Sequence, residues 1–404
     1  MSSVLQTKVP KKLSQYGPAL FMIGATIGTG SVSSLVVAGA EHGTSLLWAL
    51  IPSCLFYWAL VSAMSRLTIA SGQTFVAAVT THIGRPAGLY LVFAIVIGQF
   101  SSNIGVLGIV AEAFASWING SFLLSAIFWS SVIYLLIFFG KYSLFEKTLT
   151  VLVAILGLSF VFNLVMVKPS VSTIAQGLVP SIPEGGAVVV AAMVGTTLAG
   201  SIIMMRSFVV ADKGWSLKDL AHERRDATLS AVLIFVLSGI IMACAAATLH
   251  AQGIHVDKAI DMAYTLEPIA GSFAATLFVV GIVAAGLSSA FPNALVSIWT
   301  ISDYFKLERN PALPHFRIIA FIYCSAGLIA PLAGGKPVSI QIASLAIQAI
   351  FMPLLILFMM ILLNNKKLVG EHTNAKTMNF ICAIAFLFTS YMAFQAVKGL
   401  LSML

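Results

Sequence analysis

Two stretches of this sequence set small polar residues among glycines inside otherwise apolar surroundings. The first is Gly24-Ala25-Thr26-Ile27-Gly28-Thr29-Gly30-Ser31. The second, Val194-Gly195-Thr196-Thr197-Leu198-Ala199-Gly200-Ser201, lies 170 positions later, with Thr26 matching Thr196, Gly30 matching Gly200 and Ser31 matching Ser201. Glycine is a poor helix former, so each cluster marks either a close helix contact or a break in a helix. A break frees backbone N–H and C=O groups. The N–H ends favour negative charge and the carbonyl ends favour positive charge. Glycines admit a ligand close to the backbone, and Thr29, Ser31, Thr197 and Ser201 add hydroxyls. The chemistry available at Gly28, Thr29, Gly30, Ser31, Thr197, Ala199, Gly200 and Ser201 is the reversible binding of a small ion or polar solute.

Further polar residues extend this set. Arg206 follows Ser201 by five residues, about 7.5 Å along a helix. It would add positive field to the site, or else snorkel toward a loop or pair with Asp212. Gln341 and Gln348 are seven apart and share a helix face. Gln99, Ser102 and Asn103 are candidates for a polar pathway, and Asn293 after Pro292 would satisfy a helix distortion. Glu112 reads as an interface carboxylate. The seven histidines sit in loops or at the ends of apolar runs, without metal-ligand spacing. Cys54, Cys244, Cys324 and Cys382 fall in apolar runs and have neither disulfide nor metal spacing. No nucleophile–base pair can be assembled, so neither enzyme activity, a cofactor nor a resident metal is expected.

The elements that must position these residues are membrane spans. The chain is 59% hydrophobic and only 9% charged, against a charged fraction of about 25% in soluble domains. Its net charge of +8 resides in short loops, which excludes a nucleic-acid partner. A crossing helix needs about 20 apolar residues. The pattern predicts eleven, at 17–38, 45–64, 87–115, 122–139, 148–167, 187–211, 228–249, 270–299, 316–334, 339–362 and 377–397, with 69–82 a connector. Spans 1 and 6 are expected to break at Gly28–Gly30 and Ala199–Ser201. Residues 1–16 would be a cytoplasmic tail, 17–167 a first repeat, 168–186 an extracellular loop, 187–362 a second repeat and 377–397 an added span. An odd number of spans per repeat inverts the second relative to the first. Only Lys168, Lys258, Lys336 and Lys398 then fall outside, while 17 of the 22 Lys and Arg fall inside. That bias predicts a multi-pass cell-membrane protein with a cytoplasmic N-terminus and an extracytoplasmic C-terminus.

Several apolar markers carry a family resemblance. Gly17-Pro18-Ala19 opens span 1 and Val37-Ala38-Gly39-Ala40 ends it. Ser45-Leu46-Leu47-Trp48-Ala49-Leu50 opens span 2, and Ala284-Ala285-Gly286-Leu287-Ser288-Ser289 lies in span 8. With these the chain resembles the NRAMP family of divalent-metal transporters over nearly its whole length. The resemblance implies an all-α polytopic membrane protein of LeuT-like fold. It would be a five-plus-five inverted repeat with broken helices 1 and 6 and an eleventh helix. It also implies metal-cation cargo. The family's Asp-Pro-Gly-Asn falls on Gly28-Thr29-Gly30-Ser31, its Met-Pro-His on Ala199-Gly200-Ser201, and its second histidine on Arg206. An acidic pair in the family's third helix falls on Gln99 and Ser102. Those positions lack the carboxylate, thioether and imidazole that a metal would use.

Three functions remain open on these residues. One is an NRAMP-related secondary transporter of a small ion by alternating access, with metal as the family's default. Another is a carrier of a small bicarbonate-like anion or of a neutral or zwitterionic solute. The third is a membrane protein that binds without transporting. The partners expected are a small ion or solute and membrane lipid. No phosphate-binding loop occurs, so no ATPase subunit is implied.

Overall fold

The computed structural model describes residues 28–139 and 142–402, and of 142–149 the helical backbone only. The tail 1–16 and the first half of span 1, including Gly24–Ile27, lie outside the described residues. The long helices are α1 (Thr29–His42), α2 (Leu50–Ser71), α3 (Phe75–His82), α4 (Arg85–Trp117), α5 (Phe122–Phe139), α6 (Tyr142–Val167), α7 (Gly186–Thr197), α8 (Gly200–Lys213), α9 (Leu220–Ala245), α10 (Ala274–Phe305), α11 (Pro314–Ser325), α12 (Pro337–Leu363) and α13 (Lys376–Leu401). Among the described residues ten segments are long and apolar enough to cross a membrane, and the 14-residue α1 precedes them. Among the described residues the fold is all-α, a LeuT-like five-plus-five inverted repeat with one added helix.

Local chemistry sets the ends of these helices. Gly72, at φ +65°, closes α2, a backbone conformation that glycine adopts without strain. Thr74 then caps α3 by accepting the Ala77 N–H. Pro86 and Pro337 sit in the first turns of α4 and α12, where a missing N–H costs nothing. Span 6 divides at Leu198 (φ −100°, ψ 31°) and Ala199 (φ −58°, ψ 127°), between α7 and α8. The break thus overlaps the expected Ala199–Ser201 at Ala199, and Gly200 opens the second half-helix. Gly28 is extended, and α1 begins at Thr29, so Gly30 and Ser31 form the first helical turn.

Three expected boundaries shift. α2 continues to Ser71, so the connector is shorter than 69–82 and mostly helical. α9 starts at Leu220, so the charged segment 212–226 is partly helical, with Glu223 and Asp226 buried. α11 stops at Ser325, and the remainder of span 9 is a tight turn and a short helix ending at Leu332.

α4 packs against α10 and α12, and α1 lies among α7, α9 and α12. Helix association in lipid depends on close packing and on hydrogen bonds. The outward faces of α5, α6 and α13 expose Leu124, Phe139, Phe162, Leu387 and Phe394, the apolar surface a lipid requires.

Candidate functional site

The N-terminal ends of α1 and α8 meet α4, α10 and α12 around a cavity of about 40 Å³. A water needs at least ~10–15 Å³ by this measure, so the space suits a few small polar groups. The α1 side contributes Gly28, Gly30 and Ser31; the break between α7 and α8 contributes Thr196, Ala199, Ser201 and Ile202. The wall opposite consists of Gln99, Ser102 and Val106 on α4, Ser289 and Asn293 on α10, and Gln341, Leu345 and Gln348 on α12.

The polar groups here are mostly paired, and the exception is informative. Ser31 Oγ lies 2.9 Å from Thr196 Oγ1, a hydroxyl contact joining the two repeats. Gln99 Nε2 donates to Gln348 Oε1 at 3.0 Å. Asn293 Nδ2 donates to Asn103 Oδ1 at 3.1 Å, and Asn103 in turn donates to the Tyr323 carbonyl. Gln341 is completely buried, yet neither its amide oxygen nor its nitrogen has a partner. A buried amide left unbonded costs about 1–3 kcal/mol. Space for it depends on Gly30, where a Cβ would come within 2.9 Å of Gln341 Nε2. Gly28 is required likewise, since a Cβ there would collide with the Ser289 hydroxyl.

Helical hydrogen bonding begins at Val32 N–H in α1 and at Ile202 N–H in α8. The amides of Gly200 and Ser201 therefore precede the first hydrogen bond of α8, while Gly28, Gly30, Ser31 and Ser201 line the cavity. The last carbonyls of α7 end at the same break. The site offers donors and acceptors but, among the described residues, no ionised lining group.

Most of the expected residues converge, and some do not. Gly28, Gly30, Ser31, Ala199, Ser201, Gln341, Gln348, Gln99 and Ser102 line the cavity, while Gly200 lines a small adjoining crevice. Thr29 donates to the Ile282 carbonyl and Thr197 to the Met193 carbonyl, so neither hydroxyl serves the cavity. Asn103 stands behind Asn293 rather than in the lining. Arg206 is displaced from the role of field source. It is fully buried, with Nε to Ser65 Oγ at 2.8 Å, Nη1 to Asp226 at 2.7 Å and Nη2 to Glu223 at 3.2 Å. A buried guanidinium needs counter-charge, and two carboxylates supply it here. Asp212, its other expected partner, faces Arg309 instead. Glu112 accepts the Ala259 N–H at 2.9 Å. Thr196, Ser289 and Asn293 are lining residues the sequence reading did not select. The only signals for them were the repeat match of Thr196 to Thr26 and the Pro292–Asn293 pair.

At the opposite end from the α8–α9 connection, a vestibule of about 1040 Å³ lies between α1, α7, α12 and α13, with Glu41, Glu184 and Lys398 around it. Ile342, beside Gln341 in sequence, lies on its wall.

Comparison with known proteins agrees with this architecture. The divalent metal cation transporter MntH of Yersinia pestis (strain Pestoides F) is 27% identical over 383 residues, which is 91% of this chain and 90% of that protein. MntH of Pectobacterium carotovorum is 26% identical over 395 residues, 93% of this chain and 92% of its own. Among solved structures, a variant of the Eremococcus coleocola manganese transporter superposes with a TM-score of 0.76 at 15% identity, covering 97% of this chain and 88% of that one. MhsT in complex with L-phenylalanine superposes at 0.64 with 14% identity, covering 95% and 98%. The model of the natural resistance-associated macrophage protein-like family matches residues 19–397, and the chain belongs to that Nramp family.

Proposed function

We propose that this Nramp-family chain is a secondary transporter whose cargo is a small anion or neutral hydrogen-bonding solute rather than a transition-metal dication. The observation that carries the reading is the lining of the cavity. Hydroxyls, amides and the first turns of two helices surround it, and the Gln341 amide is held there without a partner. An unpartnered buried amide between two half-helices is explained by a cargo that completes its bonding. Among the described residues no group of three or more His, Cys, Asp or Glu could hold a metal ion. A hard cation would find no carboxylate to offset its charge, and a softer one no sulfur or imidazole. The cavity is small, which favours a planar species such as bicarbonate or nitrate over a larger organic solute.

A metal cargo is the second reading, favoured by the relatives named as divalent metal cation transporters. The carbonyl end of α7 would have to supply its ligands. The charge bias supports a cytoplasmic N-terminus and, with it, a vestibule that faces outward. Flux into proteoliposomes separates the two cargo readings. Bicarbonate, nitrate and small amino acids are compared with manganese, magnesium and calcium, and manganese binding is measured by calorimetry. Uptake of an anion or neutral solute with no saturable micromolar manganese binding is expected. Manganese uptake, lost on Gly200→Pro, with no flux of any anion or amino acid, would refute the proposal.

A further inference from the structure

At the end of the bundle away from the vestibule, several segments converge on one guanidinium. Arg309, in the connection between α10 and α11, pairs with Asp303 on α10 and lies 3.9 Å from Asp212 on α8. Its Cζ stands 4.7 Å from the ring centre of Phe208 on α8 and 5.8 Å from that of Trp299 on α10. The two rings meet edge to face with centroids 5.6 Å apart. Asp303 also accepts the hydroxyl of Thr74, the residue that caps α3.

This cluster lies on two of the helices that wall the cavity. Ser201 to Phe208 is seven residues of α8, about 10 Å, and Asn293 to Trp299 is six residues of α10, about 9 Å. A plug therefore fills the space between α8 and α10 roughly 10 Å beyond the cavity on both helices. The bonds that α8 makes elsewhere are of another kind. Arg206 fastens α8 to α2 and α9 through buried carboxylates and Ser65, and α8 packs more extensively on α2 than on α10. Separating Arg206 from Asp226 and Glu223 would strand buried charges. Separating Arg309 from Asp212 parts groups that already reach water, at 24% and 54% exposure, and Asp303 at 15% is still less enclosed than Asp226 or Glu223. Of the two attachments, the one between α8 and α10 is the weaker.

We propose that Arg309 is a release latch, closing the path between α8 and α10 through Asp303, Asp212, Phe208 and Trp299, and opening it when it detaches. The proposal rests on the transporter reading, while its test reads accessibility rather than flux. Failure to find the cargo therefore leaves the latch standing.

Two reporter cysteines follow the equilibrium in the purified full-length protein in lipid nanodiscs. Ser201→Cys reports the cavity and Ile342→Cys the vestibule. Each is labelled with a water-soluble maleimide, against a parent whose Cys54, Cys244, Cys324 and Cys382 are buried. Arg309→Ala is expected to speed labelling at Ser201→Cys about fivefold while labelling at Ile342→Cys slows or holds. Arg309→Lys keeps the charge but loses the planar stacking, so it gives an intermediate acceleration, and it decides the matter alone if the alanine variant does not fold. The latch is overturned if Ser201→Cys is not accelerated. It is equally overturned if Ile342→Cys accelerates alongside, because loosening of the whole bundle would do that.

Discussion

Removal of the Arg206 guanidinium should be among the most destabilising single changes in the protein. Arg206→Met deletes bonds to Ser65, Asp226 and Glu223 at 2.8, 2.7 and 3.2 Å. Asp226 and Glu223 are only 5% and 2% exposed, so water cannot take over the role of the cation. Breaking a buried ion pair by deleting one partner costs about 3–5 kcal/mol. The stacking of Arg206 on Trp215, at 5.5 Å, adds about 0.5–1 kcal/mol. A net loss of about 4 kcal/mol is expected at neutral pH. Thermal unfolding of the purified protein, followed by tryptophan fluorescence, measures the loss. Adding Glu223→Gln and Asp226→Asn to Arg206→Met should restore most of it, since the stranded charges are then gone. If Arg206→Met unfolds like the parent but loses uptake, the guanidinium acts on the cargo and the structural assignment is wrong.

The cavity gives three further expectations. Gln341→Leu removes an amide that has no partner, so it should stabilise the fold by about 1 kcal/mol while uptake falls about tenfold or more. Unfolding and flux measured on one preparation check both halves, and full activity would contradict the role given to Gln341. Gly30→Ala places a methyl 2.9 Å from Gln341 Nε2. Uptake should fall about tenfold with stability changed by no more than about 1 kcal/mol, because the flexible amide can yield. Ser31→Ala and Thr196→Val should each cost about 1 kcal/mol, and the pair together little more than either alone. Additive losses in that cycle would mean the two hydroxyls do not bond each other.

The span pattern was legible because the bilayer demands long apolar runs with internally satisfied backbones. The break in span 6 was legible because Gly200 interrupts such a run, and the start of α1 at Thr29 falls within the Gly28–Gly30 cluster singled out for span 1. What the sequence concealed depends on helix rotation and on distant partners. Thr196 and Thr197 are adjacent, and only the turn of α7 decides that Thr196 meets Ser31 while Thr197 bonds back to Met193. Glu223 and Asp226 sit in the charged stretch 212–226, where nothing in the sequence marks them for burial. The fold tucks them beneath α2, where they claim Arg206. Asn293 looked like local repair beside Pro292, yet its amide also reaches Asn103 across the α4–α10 contact.

A cavity lined by neutral groups leaves the membrane potential little to act on except the cargo. One elementary charge crossing the full potential exchanges about 2.3 kcal/mol per 100 mV. The buried ions Arg206, Asp226 and Glu223 are tied to one another through α2, α8 and α9 and stand outside the cavity lining. The return of the empty carrier is then electrically silent at this site, and voltage biases only the loaded step. Charge moved per cycle equals the valence of whatever occupies the cavity, together with any ion that travels beside it. A neutral solute alone generates no current, and a monovalent anion moves one charge in the sense opposite to the two carried by a dication. The sign and size of the current across a polarised vesicle membrane therefore read the net charge of the transported species before that species has been named.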